Sequence, residues 1–497
     1  MLKNPDVSPP AQNYKWKTPK KDKLRIMPIS DSAWAPTGFG TNTKNVAALL
    51  TKDGHHIGYG GCQNRSHIPY DIPWPLNQTE KVQTVENLPI QYAGQERYGE
   101  KSFPSWLQNF KPDIVLTHLD FQMFEHVAQH KQPKQATIPL YGDDNKLLSR
   151  KDRGEMLNDM FKKINKGPSW KWAAVIPLDG TPPIPNWQNA IDLMDYKICM
   201  SRYGQKVIEK YFTGCEETIY MPHGVDCSFF KPKLNPMYGD KPLREVVGDA
   251  FVVGCVARNQ HRKNIPQLIK GFKEFIDRNE LKPADIRLCL HMDWFDGMGW
   301  RIPEFCKGYG IEEYLIPPLM GHLDHGESLT EEQMVDLYNC MDMFVLPTAG
   351  EGFGIPTIEA MACGTPVAVT NYTTAWEIIK EDNPETADIP LYPCGGMAGD
   401  DEKKNGRDKL LPEDICEAGI LLPYKDMWWD TPNRAAPHRA ICSAVAIADA
   451  IDYYYHNPDK KREAAQAARK KAKSEYDWSI LEKRWLKLAA QWEKECI

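Results

Sequence analysis

The chain has 497 residues, of which 42% are hydrophobic and 26% charged, and a formal net charge of −6. That length exceeds what one core fills, so two domains are expected, and the balance is that of a folded chain rather than a disordered one. The charge excludes a protein that binds nucleic acid through its overall field, and no apolar run is long enough to span a bilayer.

Residues 1–23 are rich in Pro and Lys and lack the apolar middle of a signal peptide, so they read as a flexible tail on a cytoplasmic protein. The 13 cysteines fit a reducing compartment: they are scattered singly, with no Cys-x-x-Cys, and Cys199, Cys255 and Cys289 lie in apolar runs. After the tail, Leu24–Ile29 predicts a strand, Thr37–Gly40 a glycine-containing loop, and Asn42–Asp53 a helix stopped by Gly54. Further strands are predicted at Asp113–Thr117, Thr137–Leu140, Ala173–Ile176 and Tyr196–Met200. The stretches near 62–110 and 141–171 are Pro-rich, aromatic and aperiodic, and read as insertions. The cluster Gly58–Gly61 has no helical pattern after it and is not a dinucleotide fingerprint.

The run Lys231–Pro236 reads as a linker, after which the alternation restarts. Strands are predicted at Phe251–Val256, Ile286–His291, Tyr314–Ile316, Met343–Leu346 and Pro366–Val369. Helices are predicted at Ile265–Phe275, Glu331–Cys340 and Thr357–Cys363, with a helical end from about Ala435 to Lys494. Alternating strand and helix argues for parallel sheets. The expected organisation is a tail at 1–23, a Rossmann-like domain at 24–235, a second Rossmann-like domain at 236–475, and a helix at 476–497 crossing back to the first. Ligands in such sheets bind at the carboxyl ends of the strands, so a cleft between the sheets is the expected site.

The densest chemistry lies in Gly350–Val367, Gly-Glu-Gly-Phe-Gly-Ile-Pro-Thr-Ile-Glu-Ala-Met-Ala-Cys-Gly-Thr-Pro-Val. It reads as a tight glycine loop, a short helix with Pro356 at its start and Gly364 at its end, then a strand. Glycines let backbone N–H groups approach a ligand, and a helix start directs N–H groups and a positive dipole at an anion such as a diphosphate. Thr357 adds a hydroxyl there. Glu351 before the loop and Glu359 in the first turn are carboxylates suited to sugar or ribose hydroxyls. A second segment, Gly254–Asn264, ends a strand and delivers Arg258 and Lys263 before a helix, with Arg262 as the alternative second cation. Two fixed cations stabilise the charge that develops on a leaving diphosphate.

Gly350–Val367 resembles the donor-binding signature of family-4 retaining glycosyltransferases, which have the GT-B fold: two Rossmann-like domains with parallel sheets facing a central cleft. The resemblance implies that Glu359 holds the nucleotide ribose. It implies that Glu351 faces the donor sugar, with Gly352, Phe353, Gly354, Ile355 and Thr357 lining the sugar and phosphate site. Arg258 and Lys263 would bind the diphosphate. Met221–Asp226 resembles the family's turn at the end of the first domain, and Tyr476–Ser479 its start of the final crossing. The resemblance further implies that His118, past a strand end, touches the donor sugar and phosphate; the glycine turn Thr37–Gly40, with Gly38 and Gly40, reads as bounding the donor phosphate or the acceptor. Asp179 is an acceptor contact or a plain turn residue.

The chain has no Asp-x-Asp and no P-loop. With the resemblance, the expectation is a metal-independent, retaining transfer of a hexose-type sugar from a UDP- or GDP-sugar to an acceptor hydroxyl, with no cofactor. The acceptor is a glycan, lipid, protein or modified nucleobase, although the net charge does not indicate nucleic acid. The rival readings are a non-catalytic sugar-nucleotide-binding or scaffold module of the same fold and a nucleotide-sugar epimerase.

Overall fold

The structure is a computed structural model that describes residues 22–33, 37–62, 85–87, 98–120, 123, 125–131, 169–181, 183, 187–215, 217–319, 329–380, 407–430 and 437–497. The tail at 1–21, the strand expected at 137–140 and most of both insertions lie outside these residues. The chain divides into two compact units: Met1–Ile176 with Asn186–Ile198 and Trp485–Ile497, and Pro177–Pro185 with Cys199–Arg484.

The first unit's six strands lie in the order β3-β2-β1-β4-β5-β6 within a seven-stranded sheet. Its strands are β1 (Arg25–Asp31), β2 (His56–Cys62), β3 (Val85–Asn87), β4 (Ile114–His118), β5 (Lys171–Ile176) and β6 (Tyr196–Cys199). The centre of the sheet is parallel, with Ile26 opposite both Ile57 and Ile114, and its strands are buried, as continuous apolar runs require when helices cover both faces. Helix α1 (Gly38–Lys52) follows β1, and α2 (Phe103–Phe110) precedes β4. The Gly58–Gly61 cluster is part of β2. A Cβ on Gly58 or Gly60 would lie 2.7 Å from the rings of Phe110 and Trp106, so these glycines let α2 lie flat on the strand. Tyr196 Oη donates to Glu495 Oε2 at 2.5 Å, and Trp492 packs 5.8 Å from the Tyr196 ring.

The second unit holds a sheet in the order β8-β7-β9-β10-β12-β11. Its strands are β7 (Phe251–Val256), β8 (Ile286–His291), β9 (Met343–Leu346), β10 (Val367–Thr370), β11 (Ile415–Cys416) and β12 (Gly419–Leu422). All pairings are parallel except that of β11 with β12. Helices α3 (Ile265–Asn279), α4 (Glu331–Asn339), α5 (Ile355–Cys363), α6 (Ala444–His456) and α7 (Pro458–Lys471) complete the alternation. The final helix, α8, spans Trp478–Cys496.

The second unit takes in Cys199–Arg484, including the run read as a linker. Arg202 N–H donates to Glu377 at 2.7 Å, Val225 N–H to Tyr476 O at 2.8 Å, and Lys233 of the expected linker pairs with Asp336 at 2.7 Å. Two expectations are corrected. The strand expected at Tyr314–Ile316 reduces to one bridge, Leu288 to Leu315, after a 3-10 turn over Glu312–Tyr314. The helical end does not begin at Ala435: β13 (Tyr424–Trp429) and β14 (His438–Cys442) form an antiparallel hairpin between β12 and α6. Among the described residues, no helix is long and apolar enough to cross a membrane.

Candidate active site

The segment singled out in the sequence forms the turn from β9 into α5. Gly350 and Gly354 have φ of 149° and 105°, values that favour glycine, and a Cβ on Gly350 would sit 2.1 Å from the Asp179 carbonyl. Gly354 is the N-cap and Pro356 lies in the first turn, so the helix starts two residues earlier than expected. Thr373 and Thr374 brace the loop: Glu351 N–H donates to Thr373 Oγ1 at 3.0 Å, and Thr374 Oγ1 donates to Phe353 O at 2.6 Å. Phe353 is buried, with His223 at 5.1 Å and Tyr476 at 5.6 Å. It anchors the loop rather than presenting a ring to a ligand. Gly352 and Ile355 flank it at the partly exposed lip, and Thr357 is buried beneath, its N–H on Gly354 O at 2.9 Å.

Opposite this loop, the turn after β7 runs through a 3-10 segment, His261–Lys263, into α3. The Lys263 ammonium contacts Glu351 Oε1. Arg262 Nη1 donates to Gly350 O at 2.9 Å and lies 3.5 Å from Glu351 Oε2, while Ala349 N–H donates to Arg262 O at 2.6 Å. Burial would raise the Glu351 carboxyl, but the two cations outweigh it and hold the group below the usual carboxylate range. Arg258 takes another direction: half exposed, its Nε pairs with Asp296 Oδ2 at 3.0 Å. The alternative cation, Arg262, is therefore the one that joins Lys263 at Glu351.

Glu359 is the fifth residue of α5, not in its first turn, and its Oε2 accepts from the buried Tyr338 hydroxyl at 2.6 Å. Sequence reasoning missed Tyr338, as it missed Arg439. Arg439 on β14 is buried, pairs with Asp179 Oδ1 and Asp430 Oδ2 at 3.0 Å each, and donates to Asp179 O at 2.5 Å. Asp179 is thus more than a turn residue. Burial opposes its charge, yet Arg439 and Arg262 hold it below the usual range. No local motif marks Arg439, since the hairpin that carries it mixes polar and aromatic residues without clean alternation.

The remaining residues come together in the first unit. His118 is the last residue of β4 rather than beyond it, and it is buried. Its Nδ1 lies 2.7 Å from Thr43 Oγ1, Thr43 donates to Ser30 Oγ at 3.0 Å, and Ser30 Oγ donates to His118 O at 2.9 Å. Gly38 and Gly40 lie in the first turn of α1 rather than in a loop, because Thr37 N-caps the helix by accepting from Gly40 N–H at 3.1 Å. The Phe39 ring stands 5.1 Å from His118.

Residues 319–387, which include the whole Glu351 loop and α5, match the profile of the family described as glycosyl transferases group 1. They belong to that family. Among curated relatives, D-inositol 3-phosphate glycosyltransferase of Corynebacterium jeikeium (strain K411) is 26% identical over 260 residues, 50% of this chain and 54% of that protein. Serotype-specific mannosyltransferase WbdA of Escherichia coli is 43% identical over 135 residues, 26% of this chain and 15% of that protein. The chain thus spans about half or less of these relatives. Among solved structures, sucrose-phosphate synthase from Thermosynechococcus elongatus superposes with a TM-score of 0.60 at 16% identity, covering 94% of this chain and 99% of that one. Anabaena Alr3699/HepE in complex with UDP and glucose gives 0.56 at 14% identity, covering 94% and 100%. The fold is GT-B.

Proposed function

We propose that this protein is a retaining glycosyltransferase that moves a hexose-type sugar from a UDP- or GDP-sugar to an acceptor hydroxyl without a metal. The observation that carries the reading is the convergence of Lys263 and Arg262 on Glu351, at the glycine loop that opens α5. In the structure a carboxylate neutralises these cations. A donor diphosphate offers them a better anion and leaves Glu351 to accept hydrogen bonds from sugar hydroxyls. The N–H groups at the start of α5 add to the same attraction. Glu359, oriented by Tyr338, takes the ribose hydroxyls.

In the proposed step the acceptor oxygen attacks the anomeric carbon from the side the diphosphate leaves. The bond from carbon to phosphate oxygen breaks, the bond to the acceptor oxygen forms, and the acceptor proton passes to the departing phosphate. The atoms balance with no protein nucleophile and no co-reactant, and the protein's share is positioning and charge stabilisation. The names of similar proteins support a hexose donor: a mannosyltransferase by sequence, and a complex with UDP and glucose by fold.

A thermal-shift and hydrolysis screen of UDP- and GDP-sugars, with and without EDTA, tests this. One donor should raise the midpoint and be turned over, with EDTA making no difference. Loss of turnover in EDTA would remove metal independence. Free nucleotide with an altered sugar and no acceptor would identify an epimerase, and no response to any donor would leave a binding or scaffold module.

A further inference from the structure

The charged groups of the second unit form an alternating row. Lys263 contacts Glu351; Glu351 is 3.5 Å from Arg262; Arg262 Nε is 4.0 Å from Asp179 Oδ2; Asp179 Oδ1 is 3.0 Å from Arg439; and Arg439 Nε is 3.0 Å from Asp430. The strand that carries Arg439 is tied to each loop that bears a member of the row. His438 N–H donates to Thr181 O at 2.8 Å and Ala440 N–H to Ala349 O at 3.2 Å, and Asn264 Nδ2 donates to Ala440 O at 2.8 Å. The hairpin therefore meets the Asp179 loop, the Glu351 loop and the Lys263 turn together.

The spacing along the row is uneven. Asp179 is held closely by Arg439, through its carboxylate and its carbonyl, and only loosely by Arg262. We propose that Arg439 is a positioning residue for the anion-binding cations: by satisfying Asp179 it keeps that carboxylate from capturing Arg262, and so leaves Arg262, beside Lys263, available to an anionic ligand. The proposal rests on reading the Glu351 loop as the donor diphosphate site. Its physics is competition for one guanidinium. Arg262 stands between two carboxylates, partly exposed beside Asp179 and against the buried Glu351, and a carboxylate deprived of one cation closes on the next. Arg439 can prevent this because its planar fork reaches Asp179 Oδ1, Asp179 O and Asp430 Oδ2 at once, which a single ammonium cannot do.

The test is calorimetric binding of inorganic pyrophosphate, UDP and GDP to the full chain, its R439Q, D179N and D179N/R439Q variants, with uridine and guanosine as phosphate-free controls. R439Q should bind pyrophosphate and the nucleotides about tenfold more weakly, the scale of coupling through one charge pair, while nucleoside affinity stays put. D179N/R439Q should regain the affinity, because the competing carboxylate is gone. D179N alone should bind as tightly as the parent or more so, and this arm stands even if R439Q fails to fold. Unchanged affinity in R439Q, no recovery in the double variant, or a tenfold loss in D179N alone each overturns the proposal. If the parent binds pyrophosphate but gains nothing from either nucleotide, the donor reading falls while the Arg439 comparison remains readable. If it binds none of them, both fall.

Discussion

Glu351 and Glu359 carry the same functional group in unlike surroundings. Glu351 is ionised against two cations, whereas Glu359 is oriented by one neutral hydroxyl. Lys263→Ala should therefore slow transfer by about a hundredfold or more, since it removes charge that the departing diphosphate needs, and shift nucleotide affinity less. Glu359→Ala should do the reverse, raising the nucleotide dissociation constant about tenfold or more with a smaller change in turnover. Tyr338→Phe should follow Glu359 at lower amplitude, up to about tenfold, as one net hydrogen bond allows. Steady-state and single-turnover kinetics separate these outcomes, and equal effects of Lys263→Ala and Glu359→Ala on both constants would contradict the division. The two glutamates stood out because one continuous run, Gly350–Val367, carries both, and Lys263 because it lies in a second basic run, Gly254–Asn264. Arg439 did not, because its partner Asp179 lies 260 residues away, and Arg262 was weighed only as an alternative to Lys263 because spacing cannot say which way a side chain turns.

At the level of the elements, two devices hold the second unit's loops. The first is the Gly350 turn, where any Cβ meets the Asp179 carbonyl and φ is 149°. Gly350→Ala should lower stability by about 1–3 kcal/mol or more, read as a drop in the denaturant midpoint, and disturb the Asp179 loop with it. A variant as stable as the parent would show that the close approach has no cost. The second device is Glu377, buried and accepting from Arg202 N–H at 2.7 Å. Burial raises its carboxyl to about 8, from 4.5 for a model carboxyl. A raised folded value means that the neutral form suits the fold. The stabilising effect is complete below the unfolded value and is lost as pH climbs toward about 8, at up to ~1.4 kcal/mol per pH unit. Glu377→Gln should flatten that decline and gain on the parent between pH 5.5 and 8. Parallel melting curves against pH would refute it. The strands of this unit were readable, β7, β8 and β9 to the residue: β7 and β9 are unbroken apolar runs, as parallel strands buried on both faces are, and the edge strand β8 keeps the buried run Leu288–Leu290. The hairpin was not, since strand β13 holds Lys425 and Asp426 beside its tryptophans and has no such run.

For the whole molecule, each unit has its own sheet and its own buried core, so the order of elements could be read from alternation even where boundaries could not. The donor reading makes a regional claim about this chain. A ligand that binds only the folded state stabilises it by mass action, about 2.7 kcal/mol at a hundred times the dissociation constant. The effect should concentrate where the ligand is held. With UDP or GDP at that excess, amide exchange should slow most at 349–363, where β9 turns into α5, and at 258–264, where β7 turns into α3. Both turns carry partly exposed charged side chains in the free chain, and both offer N–H groups to an anion. The same nucleotide should protect them less in Lys263→Ala, because the charge that recruits the diphosphate is gone. Protection that bypasses both turns would place the nucleotide elsewhere and remove the ground on which Lys263, Arg262 and Glu351 are read as one site.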